Sequence, residues 1–532
     1  MLHRALTTLF LALVPQVVHA QEAAAPEVGA FEIVFDEEVF PEGFRGDLFI
    51  AFGGTRSRRE PRQEMHGWFG APPVARFAAV YAPGDEPLVL SIDDARAHAP
   101  HDWSTGPWTM GVVDPNAEDP DAPTTYAVQA VVRRSLTGRE AGLSEGDAYS
   151  ATVDVRYAPG NDGAVRLVLD RVVPADTFAE TERVKLFEMK SELLSDFWGF
   201  DYTVRAGVLL PLEYDPAETY PVVYSVTGFG GDHESIRGWE RRAGEGTTLS
   251  KCIVVVPDAS NRYGHSVFCD SASIGPWGTM LTTEMIPALE ERFGGGDPFH
   301  RYVTGVSSGG WSSLWLQVAY PEHFSGCWSH VPDPIDFHDF QGIDLYTPID
   351  EKTPRNMYAD EAGNARPLAR RGDQVLLTYE DFVRREHVLN PGGQIRSFEA
   401  TFSQPDANGL PSRVFDPATG AIDHRVAATW RNYDISRRLL NDWELLEPVL
   451  DGKIRVYAGE VDTFYLEGAV ERFRRLAEPA GLLDHMVVEV VPGMAHELHG
   501  AGYQDMLATI EARLLEREPA VPPPPKAPWE QD

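Results

Sequence analysis

Cysteine is scarce: Cys252, Cys269 and Cys327 are the only three in 532 residues. Three thiols make at most one bridge, so a disulfide-stapled scaffold is excluded, and no Cys/His spacing matches a zinc site. Cys252 and Cys327 fall in apolar runs and read as small buried hydrophobes. Positive charge is also short. With 46 basic against 81 acidic residues the formal charge is −35, which repels phosphate and argues against a nucleic-acid partner; the excess acid serves solubility. Long apolar runs are missing too. The stretch Leu6–Val14 is shorter than the roughly 20 residues that span a bilayer, and no later one approaches that length. Arg4 precedes it, and Val18 and Ala20 follow at small-residue positions. Residues 1–20 therefore read as a signal peptide, and the expected product is secreted or periplasmic, with no membrane anchor.

What is present supports large cores. Hydrophobic residues make up 43% and aromatic residues 11% of the chain, and its length predicts two or three domains at roughly 150 residues each. Residues 21–183 contain segments such as "DLFIAF", "LVLSI", "YAVQAVV", "YSATVDVRYA" and "AVRLVLDRVV", read as period-two strands between Gly-, Pro- and Asp-rich loops. That pattern predicts an all-β, sandwich-like domain. From 184 to 517 the texture changes. "RAGVLLP", "YPVVYSVTGFGG", "CIVVVPD", "RYVTGVSSGG", "GCWSHVPD", "KIRVYAGEVD" and "HMVVEVVPG" read as strands, with "TTEMIPALEERF", "WSSLWLQVAY" and "LEGAVERFRRLAEPAG" as helices between them. Such alternation predicts an α/β fold, a doubly wound, mostly parallel sheet covered on both faces. Between about 332 and 451 the strand signals thin out, which predicts a large insertion over the strand ends. Residues 518–532 form a Pro-rich tail expected to be disordered.

In such sheets chemistry gathers beyond the carboxyl ends of the strands. Gly305-Val306-Ser307-Ser308-Gly309 fits G-x-S-x-G, and here a strand leads in and a helix leads out, as a nucleophile turn requires. Ser307 is the candidate nucleophile. Ser308 matters in this reading for its backbone N–H at the helix start, its hydroxyl being idle. A serine hydroxyl needs a base and an orienting acid, in the chain order Ser, acid, His. Three histidines lie late enough. His485 precedes the last strand and faces the wrong end; His496, in "PGMAH", is preferred over His499. Glu460 and Asp462 both follow "KIRVYAG", and Asp462 is preferred for its shorter side chain at a turn. Asp258 precedes the serine and reads as a turn or pocket residue. The loop Gly228-Phe229-Gly230-Gly231 would supply the second oxyanion donor from the N–H of Phe229 or Gly230, beside that of Ser308.

Taken in order, "YPVVYSVTGFGG", "GVSSGGWSS", "YPEHFSG" and "PGMAH" resemble the esterase family that groups esterase D, bacterial feruloyl and acetyl xylan esterases and enterobactin esterases, over residues about 190–515. The resemblance implies an α/β-hydrolase fold, Ser307, Asp462 and His496 as a triad, and a carboxylic ester as substrate. In two respects the chain departs from the family pattern: Thr227 replaces the histidine of the common "HGGG", and the stretch between serine and acid is unusually long. Trp277, Trp311, His330 and Tyr465 are candidates for an aromatic pocket, with core or surface packing as the alternative for each. Asp333, Asp336, His338 and Asp339 lie close together in the insertion and read as a polar loop framing the cleft, with a divalent-metal site as the alternative. The resulting expectation is an exported serine esterase that needs no cofactor and no metal. It would act on a small-molecule or polysaccharide-linked ester, feruloyl or acetyl esters included. A prolyl-oligopeptidase-like peptidase is the alternative within enzymes, although its propeller, at ~40–50 residues per blade, does not fit ahead of residue 184. A binding protein that keeps the fold without catalysis is the other.

Overall fold

The computed structural model describes residues 25–69, 71–91, 125–158 and 161–515. The expected signal peptide and the Pro-rich tail lie outside the described residues. Within the N-terminal region two sheets face each other. One has seven strands, with Glu27–Val28, Val153–Tyr157, Thr125–Val132, Phe44–Gly53 and Val74–Tyr81 in spatial order and Ala148–Tyr149 and Arg171–Val172 attached. The other has three, Leu88–Ser91, Ala30–Phe35 and Ala164–Leu169. Ala30–Phe35 alternates half-buried and buried positions, so Phe31 and Phe35 point inward, onto Phe52 at 5.9 Å and Tyr81 at 4.6 Å between ring centres.

The central strands of the larger sheet depart from the expected alternation. The last six residues of Phe44–Gly53 and of Thr125–Val132 are all buried. Their outer face carries a second apolar cluster, Phe49, Ala51, Met65, Val74, Val131 and Ala141, against which Val388 and Leu389 of the distant insertion pack. A sheet covered on both faces has no reason to alternate.

From Val184 onward the chain builds one eight-stranded sheet. Its strands are β1 (Val184–Ser191), β2 (Tyr202–Leu209), β3 (Val222–Val226), β4 (Ile253–Pro257), β5 (Arg301–Val306), β6 (Gly326–His330), β7 (Ile454–Gly459) and β8 (Val487–Val491). They lie in the order β1-β2-β4-β3-β5-β6-β7-β8. β2 runs antiparallel to both neighbours and all other pairs are parallel. That order, with the crossing of β3 and β4, is the α/β-hydrolase arrangement. Helices α1 (Ile236–Arg242) and α7 (Gly500–Leu515) cover one face through Ile236, Trp239, Met506 and Ile510. Helices α2 (Ser308–Ala319), α5 (Ile435–Leu450) and α6 (Glu467–Ala477) cover the other through Leu314, Leu439 and Phe473. Both faces being closed, β3, β4 and β6 are buried at every residue.

The insertion between β6 and α5 contains a hairpin, Pro367–Arg371 with Gln374–Thr378, and helices α3 (Tyr379–Leu389) and α4 (Gln394–Phe402). α5 belongs to the layer over the sheet, so the insertion proper ends before Ile435 rather than at 451. All three cysteines are free and buried. Among the described residues no helix is long and apolar enough to cross a membrane.

Candidate active site

The turn at Ser307 is built by crowding. A side-chain carbon on Gly305 would lie 2.2 Å from Gly309 O, one on Gly309 2.1 Å from Val226 O, and one on Gly310 2.5 Å from His330 O. Only glycine lets the first turn of α2 sit this close to the ends of β3 and β6. Ser307 itself takes φ 62° and ψ −126°, a conformation a side chain seldom adopts and the packing around it must enforce. Its N–H donates to His330 O at 3.0 Å, and its carbonyl accepts from Trp311 N at 2.9 Å and Asp333 N at 3.3 Å. Ser308 follows as the first residue of α2, where amides have no partner within the helix.

Asp462 lies past the end of β7 and is fully buried. Its Oδ1 accepts from Phe464 N at 2.7 Å and its Oδ2 lies 2.8 Å from His496 Nδ1. Arg370 Nε donates to Asp462 O at 2.9 Å, fixing the loop from the insertion hairpin. The β8 loop approaches because Gly459 has no side chain: a carbon there would be 2.4 Å from both Met494 O and Ala495 O. With Nδ1 committed to the carboxylate, His496 has Nε2 left for a proton on the cavity side. The rival assignments find other partners. Glu460 Oε2 accepts from Gly493 N at 2.9 Å. His499 packs on the Tyr457 ring at 4.7 Å and accepts from Gly502 N. His485 pairs with Asp451 at 2.9 Å, and Asp258 with His233 at 3.2 Å.

The glycine loop after β3 meets the nucleophile. A side-chain carbon on Gly228 would come within 3.3 Å of Ser307 Cβ, and Gly231 N donates to Gly228 O at 3.1 Å, closing a turn around Phe229 and Gly230. Gly228 and Phe229 line the cavity at Ser307, whereas Gly230 does not. Thr227, at the head of the glycine loop, is held by a histidine from elsewhere. His265 Nε2 lies 3.0 Å from Thr227 O, and His265 Nδ1 accepts from Val267 N at 3.0 Å. Burial pushes His265 down to about 4, so it is neutral and donates through Nε2.

Ser307 and His496 open into one cavity of about 330 Å³. Its apolar wall includes Trp68, Phe229, Leu368, Phe382, Phe398 and Phe464. Its polar side is Asp333, Gln341 and Gln394. Asp333 Oδ2 accepts from Ser308 Oγ at 2.6 Å and Gln394 Nε2 at 3.3 Å, and burial pushes its carboxyl up to about 6. Gln394 Oε1 is buried without a hydrogen-bond partner.

The four proposed pocket residues lie elsewhere. Trp277 is core, edge-on to Tyr202 at 5.8 Å, and borders a different cleft. Trp311 stacks on Trp315 at 5.5 Å and donates to Pro334 O. His330 is fully buried against Tyr457 at 5.4 Å, and burial pushes it down to about 3. Tyr465 lies under the Arg370 guanidinium at 4.3 Å, outside the cavity. Asp333, Asp336, His338 and Asp339 also separate. Asp336 accepts from Ser436 Oγ and pairs with Arg472, His338 pairs with Asp344, and Asp339 accepts from Gly342 N. Among the described residues no three His, Cys, Asp or Glu side chains are grouped to hold a metal.

Comparison with known proteins adds the family. A ferulic acid esterase shares 15% identity over 62% of this chain and 99% of its own, with a TM-score of 0.37. FphF, a fluorophosphonate-binding serine hydrolase of Staphylococcus aureus, shares 11% over 62% and 97%, at 0.34. An S-formylglutathione hydrolase from Agrobacterium tumefaciens shares 15% over 63% and 93%, at 0.33. Likenesses this remote carry nothing about substrate, and the fold rests on the strand order above. No curated protein matches the sequence. The family model described as "Putative esterase" matches residues 199–504, more than half of the chain and every part of the site outside the N-terminal region; the chain belongs to that family and is a carboxylic ester hydrolase.

Proposed function

We propose that the protein is an exported serine esterase working through an acyl-enzyme, with Ser307 as nucleophile, His496 as base and Asp462 as its orienting acid. The observation that carries this reading is the 2.8 Å Asp462–His496 pair opening onto the same cavity as Ser307. Ser307 Oγ attacks the ester carbonyl while His496 Nε2 takes its proton. The carbonyl oxygen becomes an oxyanion, stabilised by the N–H groups of Ser308 and Phe229 at the start of α2 and on the glycine loop. His496 then returns the proton to the departing alcohol. Water, deprotonated by the same nitrogen, releases the acid and restores Ser307. All steps use groups of this chain, and no cofactor is needed.

The substrate we propose is a small or polysaccharide-linked ester, the feruloyl and acetyl types included. The aromatic wall supports a group larger than acetyl. The test compares wild type with Ser307→Ala on aryl, acetyl and feruloyl esters and on aminoacyl amides. Loss of ester cleavage in the variant, with no amide cleavage by wild type, is expected. Equal hydrolysis by both proteins would sink the mechanism, and amide cleavage by wild type would make it a peptidase.

A further inference from the structure

Trp68 reaches the Ser307 cavity from a different part of the chain. It sits in the N-terminal β region, after the short helix Pro61–Glu64, and its half-buried indole meets three rings of the hydrolase region. Ring centres lie 4.7 Å from Phe382 on α3, 5.5 Å from Phe464 in the acid loop and 5.9 Å from Phe229 on the glycine loop. Each of these rings also lines the cavity. The segment carrying Trp68 is pinned on both sides: Arg385 of α3 donates to Pro72 O at 3.0 Å and to Met65 O. A second tie runs to the glycine loop, where Arg139 Nη2 donates to Gly230 O at 3.2 Å and its guanidinium lies 5.3 Å from the Phe229 ring.

We infer that the N-terminal β region is part of the substrate site, and that Trp68 is a specificity-determining wall selecting esters whose acyl part is a flat aryl or other bulky apolar group over those whose acyl part is acetyl. This rests on the reading of Ser307 as nucleophile. The physical reason is area. An acetyl group leaves most of a 330 Å³ cavity filled with water and gains nothing from the indole. A benzoyl or cinnamoyl group would lie against Trp68, Phe382 and Phe464 and remove apolar surface from water on several sides. Trp68 touches no reacting atom, so it acts on which ester is held rather than on the bond that breaks. The Arg139 and Arg385 ties keep this wall registered on the glycine loop and α3, which links the region's position to the site.

The test uses the full chain and follows the ratio of kcat/KM for p-nitrophenyl cinnamate to that for p-nitrophenyl acetate in wild type, Trp68→Ala and Trp68→Phe. The ratio should fall at least about tenfold in Trp68→Ala, the scale on which pocket contacts discriminate between substrates, chiefly through KM. Trp68→Phe should recover most of it. Trp68→Leu, read the same way, replaces Trp68→Ala if that variant loses its melting transition. Fluorophosphonate labelling at Ser307 serves as the parallel readout. A labelled, active variant whose ratio stays within about twofold of wild type overturns the inference alone. Wild type that takes no label and cleaves neither ester overturns the nucleophile reading instead.

Discussion

At Ser308 the hydroxyl carries more than the motif implies. The sequence reading gives this residue a role through its amide only, yet its Oγ donates to the buried Asp333 at 2.6 Å and accepts from Gln394 Nε2 at 3.2 Å. Ser308→Ala therefore removes the shortest bond to a buried carboxyl. We expect a stability loss of about 1–3 kcal/mol by urea denaturation, with kcat reduced far less than in Ser307→Ala because the amide remains. Asp333 adds a pH dependence of its own. Burial raises its carboxyl from 3.8 to about 6, so the folded state favours the neutral acid. Its contribution to stability is fully present below about pH 4 and is lost as pH rises through about 6. Asp333→Asn has no proton to lose. Its stability relative to wild type should rise by on the order of 3 kcal/mol between about pH 4 and pH 7, measured by denaturation at both; a pH-independent difference would contradict it. The triad candidates were legible because each sits just past a strand in a fixed chain order. Asp333 also follows a strand, but nothing in the text around it indicates that its partner would be Ser308 rather than its acidic neighbours in the insertion.

Among the elements, the joint of β5 and α2 is the most constrained. Gly309→Ala would place a carbon 2.1 Å from Val226 O, with backbone rather than a yielding side chain in the way. We expect a loss of about 3 kcal/mol or more by thermal melting, against less than about 0.5 kcal/mol for Gly244→Ala, where the added carbon meets open space. The inner strands of the large sheet, β3 to β7, were legible as apolar runs because both their faces are covered, whereas β1, half-exposed at the sheet's edge, was not read as a strand. Helix α2 was legible from its start signal after Ser307. α5 was absorbed into the insertion, since "ISRRLLNDWELLEPVL" carries charges along its outer face and follows a polar stretch with no strand to mark the boundary. The central strands of the larger N-terminal sheet were misread as alternating. Their second cover, Val388 and Leu389, comes from the far side of the sequence, and no local pattern announces it.

For the whole molecule, the same distance separates what was legible from what was not. The walls of the Ser307 cavity come from the N-terminal region, the glycine loop, the insertion and the acid loop. A tryptophan's direction depends on packing between these parts, so Trp68 passed unnoticed while Trp277 and Trp311, nearer in sequence, drew attention and proved to be core. The proposed reaction centre thus lies in a cavity walled by segments from Trp68 to His496. The central claim is that an ester's acyl group passes onto Ser307. Wild type and His496→Ala, quenched during turnover of p-nitrophenyl cinnamate and digested for mass spectrometry, test it most directly. The account predicts a cinnamoyl adduct on the peptide containing Ser307 in wild type, and none in His496→Ala. Turnover by wild type with the adduct on another residue, or undiminished turnover by Ser307→Ala, would contradict it.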